Sequence, residues 1–234
     1  MCGIVGLLLK DRRLTPRLGE LTVPMLIGMS ERGPDSAGLA VFTDAPSEAR
    51  RKMSVYKGVG SPSDIAIRYD FRNLRGTHLI GHTRMATESA VTPENTHPYT
   101  AGEDFCLVHN GSLSNPYSVR RRLESLGIRF EGDCDTEVAC RFLEYRMREG
   151  DDLQTALQAG FEALDGFYTF VMGTADSLAL VRDPFGCKPA VVAETDDYVA
   201  IASEFRSLAK LPGVANASLF EPKPEQIYIW RTAA

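Results

Sequence analysis

Strand-like segments lie at both ends of this 234-residue chain and enclose a helical middle. Helical spacing of apolar residues predicts helices after Thr15-Pro16, after Ser114-Asn115-Pro116, from Asp135 and around Leu153–Leu164. Strands, then helices, then strands again predict an α+β fold with two sheets and helices on their outer faces. No repeat or long linker divides residues 1–234, which predicts a single domain. Apolar runs rich in branched side chains place the strands at Gly3–Leu9, Gly38–Thr43, Lys52–Tyr56, Thr77–Thr83, Asp104–His109, Phe167–Met172, Leu178–Val181, Ala190–Glu194, Val199–Ala202 and Ile227–Trp230.

Charge and cysteine content exclude several classes of protein. The chain has 26 Lys and Arg against 31 Asp and Glu, a net charge of −5, which argues against a nucleic-acid-binding domain. No run approaches the ~18 apolar residues of a membrane span. The apolar run Cys2–Leu9 has no basic residue before it, the wrong order for a signal peptide. Five cysteines without CxxC spacing argue against disulfides or zinc. We therefore expect a cytoplasmic protein, with no membrane or nucleic-acid partner.

Cys2 is the first candidate for chemistry. It becomes the N-terminal residue if Met1 is removed, and its α-amine then has a pKa of about 7.7–8. One residue would then supply both a thiol nucleophile and a general base, as in N-terminal-nucleophile enzymes. The alternative is a small buried residue at the start of a strand.

Four other segments place polar residues at strand ends and helix starts, where catalytic groups are often presented. They are Arg32–Gly38, Gly81–Thr87, His109–Gly111 and Cys134–Glu137. Together with Cys2–Gly6, in this order, they resemble the glutaminase domain of class II glutamine amidotransferases. The later segments Arg182–Gly186 and Ala202–Glu204 also resemble that family.

A narrower resemblance is to the amidotransferase-like small subunit of N-methylglutamate synthase, which is related to the glutaminase part of glutamate synthase. The residues that carry it are His82–Val91, Val108–Asn115, Asp165–Tyr168, Cys187–Ala190 and Tyr228–Trp230. The resemblance implies a four-layer α/β/β/α sandwich of the N-terminal-nucleophile hydrolase type. This sequence departs at two positions from relatives that act on sugar phosphates. Those relatives often have an aromatic residue where this chain has Met85, and a His where it has Glu88.

The resemblance also implies a role for each candidate residue. Cys2 would attack the side-chain amide of glutamine and form a γ-glutamyl thioester, while Asn110 and the Gly111 N–H stabilise the oxyanion. Arg84, with Thr87 nearby, would bind the α-carboxylate, and Asp135 the α-ammonium. A hairpin turn is the alternative for Asn110-Gly111, and a helix N-cap for Asp135.

Other polar residues have structural interpretations. We expect Arg32 and Asp35 to shape the loop near Cys2. His82, His97 and His109 are far apart in sequence, so we expect neither a metal site nor a catalytic triad from them. Cys106, Cys134, Cys140 and Cys187 are expected to be small buried residues.

The glutaminase-like motifs use essentially the whole chain and leave no cofactor-binding motif such as G-x-G-x-x-G. We therefore expect no cofactor in this chain and a hetero-oligomer whose separate synthase subunits carry FMN and iron–sulfur clusters, as the resemblance implies. Three functions remain open: a subunit of an N-methylglutamate-synthase-like complex, an ammonia-supplying subunit of a glutamate-synthase-type enzyme, or a non-catalytic structural subunit. The sequence does not decide between ammonia and methylamine as the amine handled.

Overall fold

The computed structural model describes residues 2–44, 52–85 and 91–232. The α-helices of the described residues are α1 (Leu18–Gly28), α2 (Pro62–Arg68), α3 (Pro116–Ser125), α4 (Asp135–Arg148) and α5 (Leu153–Ala163). The strands are β1 (Gly3–Leu9), β2 (Ser36–Thr43), β3 (Lys52–Val59), β4 (His78–Arg84), β5 (Tyr99–Ala101), β6 (Phe105–Leu113), β7 (Gly166–Gly173), β8 (Ser177–Arg182), β9 (Val191–Glu194), β10 (Tyr198–Ala202), β11 (Ser218–Phe220) and β12 (Tyr228–Arg231).

The strands form two antiparallel sheets. The first has seven strands in the order β11-β9-β10-β1-β4-β2-β3, and the second has five in the order β12-β8-β7-β6-β5. All strand pairs between the described residues are antiparallel. The fold is therefore a mixed α and β structure with two sheets, as the order of segments predicted.

Apolar side chains of β1 alternate between two hydrophobic clusters. Ile4 and Leu8 pack in a cluster with residues of the five-stranded sheet, such as Val171. Val5, Leu7 and Leu9 pack in another cluster with residues of α1 and α2. A strand buried on both faces reads as a continuous apolar run, which explains the composition of Gly3–Leu9.

The helical middle of the chain covers the five-stranded sheet. Leu107 of β6 and Ala179 of β8 lie in one cluster with Leu123, Val138 and Leu157 of α3, α4 and α5. The α1 stripe Leu18, Leu21, Met25, Leu26 and Met29 is buried, as its spacing predicted.

Three of these elements, α2, β5 and β11, are short and are not expected from the sequence. Helix α2 had a readable start signal, since the Ser61 hydroxyl accepts a hydrogen bond from the Asp64 N–H and Pro62 follows it. Strands of three residues carry too little periodicity to be recognised. None of the helices in the described part of the chain is long and apolar enough to cross a membrane.

Candidate active site

Two neighbouring strands of the seven-stranded sheet bring Cys2 and Arg84 to the same end of that sheet. Gly3, the first residue of β1, pairs with Thr83 in antiparallel β4. Cys2 directly precedes β1, and Arg84 is the last residue of β4. The Cys2 Sγ lies 3.8 Å from the carbonyl oxygen of Met85.

The backbone carbonyl of Cys2 is held by two side chains from other elements. The Nδ2 of Asn110 donates to it at 3.0 Å, and the Nε of Arg32 donates to it at 2.9 Å. Arg32 is itself fixed by an ion pair with Glu204, with 2.7 Å between Nη1 and Oε1. Arg32 thus orients the chain at Cys2, the structural role expected from the sequence.

The loop that carries Arg32 packs directly against the end of β4. A Cβ on Gly33 would lie 2.3 Å from the Thr83 carbonyl oxygen, so a larger residue would push this loop away. The N–H of Asp35 donates to the Arg84 carbonyl at 3.1 Å. The Arg32–Asp35 loop therefore contacts both Cys2 and Arg84.

Asn110 and Gly111 do not form a hairpin turn, and they do not end their strand. Strand β6 continues to Leu113, and Asn110 and Gly111 pair with Thr169 and Tyr168 of β7. Gly111 has a φ of 146°. A Cβ there would lie 1.8 Å from the Phe167 carbonyl oxygen, so this position requires glycine. The Asn-Gly pair therefore marks a local irregularity inside a strand.

Asp135 begins helix α4 but does not cap it. The residue at the N-cap position is Cys134, and its side chain makes no capping hydrogen bond. The Asp135 Oδ2 instead accepts a hydrogen bond from the N–H of Leu113 at 2.9 Å. The N-cap alternative is thus wrong: Asp135 connects α4 to the end of the strand that carries Asn110.

The surroundings of Asp135 favour its ionised form. Burial raises the pKa of this carboxyl, but the neighbouring His109 imidazole and the hydrogen bond from the Leu113 N–H outweigh burial and bring the pKa to about 2. The His109 Nδ1 lies 3.6 Å from its Oδ1. Asp135 therefore carries a negative charge at neutral pH, which suits an ammonium ligand.

The three histidines that are far apart in sequence meet in the structure. The rings of His82 and His97 stack with centroids 4.0 Å apart. The Nε2 of His82 donates to the His109 carbonyl at 3.1 Å. The Thr136 Oγ1 lies 3.0 Å from both the His97 Nε2 and the His109 Nδ1. Distance along the sequence therefore does not separate these three side chains in the fold.

His82 and His97 are held neutral by burial, and the three histidines are not arranged as a metal centre. Burial lowers the pKa of His82 to about 3 and the pKa of His97 well below its ordinary value. Across residues 2–44, 52–85 and 91–232, no group of three or more His, Cys, Asp or Glu side chains could hold a metal ion.

The remaining predicted residues have different outcomes. Arg84 is buried at the end of its strand. Thr87 lies outside the described residues. Cys106 and Cys140 are buried as expected, but Cys187 is exposed and Cys134 is half-buried, so the expectation for those two was wrong.

Comparison with known proteins decides the family. Residues 82–210 match the model of a glutamine amidotransferase domain. The chain is 43% identical to the glutamine amidotransferase-like protein GlxB of Rhizobium meliloti, with 98% of each chain covered. This chain belongs to the class II glutamine amidotransferases.

Longer members of the family contain the same domain as one part. The chain is 35% identical to the amidophosphoribosyltransferase of Archaeoglobus fulgidus, covering 91% of this chain and 45% of that relative. The solved glutamine phosphoribosylpyrophosphate amidotransferase of B. subtilis superposes with a TM-score of 0.79 at 26% identity, covering 97% of this chain and 47% of that one. These matches assign the two-sheet fold to the N-terminal-nucleophile type and imply a glutamine-hydrolysing domain.

Proposed function

We propose that this chain is a glutaminase subunit in which Cys2 is the nucleophile. The observation that carries the proposal is the contact between Cys2 and Asn110, which come from different sheets. In this contact the Asn110 Nδ2 donates to the backbone carbonyl of Cys2, at the sheet end where Arg84 also lies. Nucleophile, oxyanion donor and carboxylate-binding cation are the groups that amide hydrolysis of an amino acid needs.

The reaction begins when the Cys2 Sγ attacks the side-chain amide carbon of glutamine. The α-amine of Cys2, freed by removal of Met1, takes the thiol proton and passes it to the departing nitrogen. The C–N bond breaks, ammonia leaves, and water then hydrolyses the γ-glutamyl thioester to glutamate. An amine with a pKa of about 7.7–8 can both accept the thiol proton and donate it to the departing nitrogen at neutral pH.

Asn110 has enough donors to hold both Cys2 and the oxyanion. A side-chain amide carries two N–H groups, and the Cys2 carbonyl uses one of them. The second N–H and the backbone N–H of Gly111 would stabilise the negative oxygen that forms on attack.

The two charged ends of glutamine would bind on either side of this centre. Arg84, with Thr87 beside it in sequence, would take the α-carboxylate through its planar fork. Asp135 would take the α-ammonium, which agrees with its low pKa and its link to the end of β6.

We further propose that the chain works in an N-methylglutamate-synthase-like complex. Support comes from the segments His82–Val91 and Val108–Asn115 and from the protein's resemblance to a small subunit of that kind. Ammonia is mostly protonated at neutral pH, so a partner synthase carrying FMN and iron–sulfur clusters would receive the nitrogen directly. Supplying the assembled complex with 2-oxoglutarate and either ammonia or methylamine separates this function from that of a glutamate-synthase-type enzyme.

We infer a four-layer α/β/β/α order for the single domain 1–234. The three hydrophobic clusters support it, because one contains residues of both sheets and the other two contain residues of one sheet and its helices.

The decisive experiment compares Cys2→Ala with Cys187→Ala, since Cys187 is an exposed free cysteine. We expect C2A to lose glutaminase activity by about 10⁴-fold or more, as when a covalent nucleophile is removed, and C187A to keep it. Intact mass of the wild-type protein shows whether Met1 is removed. Full activity in C2A would contradict the assignment, and a retained Met1 would favour a non-catalytic structural subunit.

A further inference from the structure

Three buried side chains are close in sequence to the candidate site residues Arg84, Asn110 and Asp135. His82 stands two residues before Arg84 in β4, His109 directly before Asn110 in β6, and Thr136 directly after Asp135 in α4. Each of the three is at most 3% exposed. The contacts among them therefore join the seven-stranded sheet, the five-stranded sheet and helix α4 beneath the site.

The Thr136 hydroxyl is the centre of this network. Its oxygen lies 3.0 Å from the His97 Nε2, 3.0 Å from the His109 Nδ1 and 3.3 Å from the Asp135 Oδ1. A hydroxyl accepts two hydrogen bonds and donates one. Thr136 can thus accept a hydrogen bond from each of the two imidazoles and donate one to the carboxylate.

The unpartnered nitrogens of the cluster agree with that proton arrangement. They are the Nδ1 of His82, the Nδ1 of His97 and the Nε2 of His109. His82 must carry its proton on Nε2, since the His109 carbonyl only accepts. With His97 protonated on Nε2, the unpartnered Nδ1 atoms of His82 and His97 are bare nitrogens, and neither ring leaves an N–H without an acceptor.

We propose that Thr136 is a positioning residue of the glutaminase site, which sets the distance between Asp135 and the strand that carries Asn110. Glutamine would contact Asp135 through its ammonium group and Asn110 through its amide, so one substrate molecule spans both. Catalytic groups must be held within about 0.5 Å of their working geometry. Thr136 bonds Asp135 directly and reaches Asn110 through His109. This inference rests on the proposed function.

The test compares Thr136→Val, which removes the hydroxyl at nearly constant shape, with Thr136→Ser, which keeps it. Thr22→Val is the matched control, because Thr22 is also fully buried but bonds the Leu18 carbonyl within α1. We expect T136V to lose about 10²-fold in kcat/KM for glutamine, through both a higher KM and a lower kcat. T136S recovers most of the loss, and T22V keeps wild-type kinetics.

A second measurement separates positioning from folding. Glutamine affinity, measured by calorimetry in a Cys2→Ala background, should fall with T136V and stay close to that of C2A alone with T136S. If T136V does not fold, T136S decides: a KM or affinity far from the wild-type value overturns the proposal. Equal kinetics for T136V and wild type would also overturn it. Wild-type protein that neither hydrolyses nor binds glutamine overturns the proposed function first, and this inference with it.

Discussion

The two sheets supply their parts of the candidate site in different ways. The seven-stranded sheet presents Cys2 and Arg84 at the regular ends of adjacent strands. The five-stranded sheet presents Asn110 and Gly111 from inside β6, at a position whose positive φ only glycine accepts easily. The positions of Cys2 and Arg84 depend on the pairing register of β1 and β4, whereas Asn110 and Gly111 depend on an irregular backbone that pairs with β7. Substitutions at Asn110 and Gly111 should therefore lower kcat more than they change the affinity for glutamine.

The largest effect that tests this comparison is expected from Asn110→Ala. Loss of one oxyanion donor costs about 10²–10³ in kcat, and here the Cys2 carbonyl loses a hydrogen bond as well. KM for glutamine should change little, because the donor acts on charge that develops during the reaction. Steady-state glutaminase kinetics measure both constants.

Asn73→Ala is the control for that experiment. The Asn73 side chain donates only to Asp70 within a short surface turn, so its loss should leave kcat unchanged. If N110A raised KM and kept kcat, Asn110 would bind glutamine in the ground state. The expectation that this residue of the five-stranded sheet acts mainly on kcat would then be wrong.

The stability of the folded protein should fall in acid, because His82 is buried where β4 of one sheet contacts β6 of the other. Burial lowers the pKa of His82 to about 3 in the folded protein, against 6.5 in the unfolded chain. The unfolded chain therefore binds a proton first as the pH falls below 6.5, and stability is lost progressively between pH 6.5 and pH 3. For this one group the loss amounts to about 2 kcal/mol between pH 7 and pH 5.

Urea unfolding of the wild-type protein and of His82→Gln at pH 7 and pH 5 measures that loss. The variant keeps an N–H donor for the His109 carbonyl but does not titrate, so its stability should fall less on acidification. Asp135 does not contribute in this window: its pKa is lowered, so its stabilising effect is complete above pH 4 and disappears only as the pH falls towards 2. An identical pH dependence in both proteins would show that His82 is not buried in its neutral form.

The same contrast explains how much could be predicted from the sequence. Apolar runs rich in branched side chains predict β1 and β4, and the structure places Cys2 and Arg84 at the ends of these strands, as expected. For Asn110-Gly111, the strongest hairpin signal in sequences pointed to a turn. Pairing with Tyr168, 57 positions away in the register of β6 and β7, overrides that local preference. Likewise, only tertiary contacts bring His82, His97 and His109 together, and no local spacing indicates this cluster.

The smallest expected effect comes from Arg84→Lys in the seven-stranded sheet. Lysine keeps the charge but loses the planar fork that binds a carboxylate through two parallel hydrogen bonds, so we expect KM for glutamine to rise by about tenfold, with kcat nearly unchanged. Arg17→Lys is the control, because Arg17 forms an exposed ion pair with Glu20. Arg84 is itself buried, and R84K therefore needs a check of thermal stability beside the kinetics. A fall in kcat without a change in KM would contradict the substrate-binding role of Arg84. It would indicate instead that Arg84 supports Cys2, because β4 contacts the loop from Arg32 to Asp35 directly at Thr83 and Arg84.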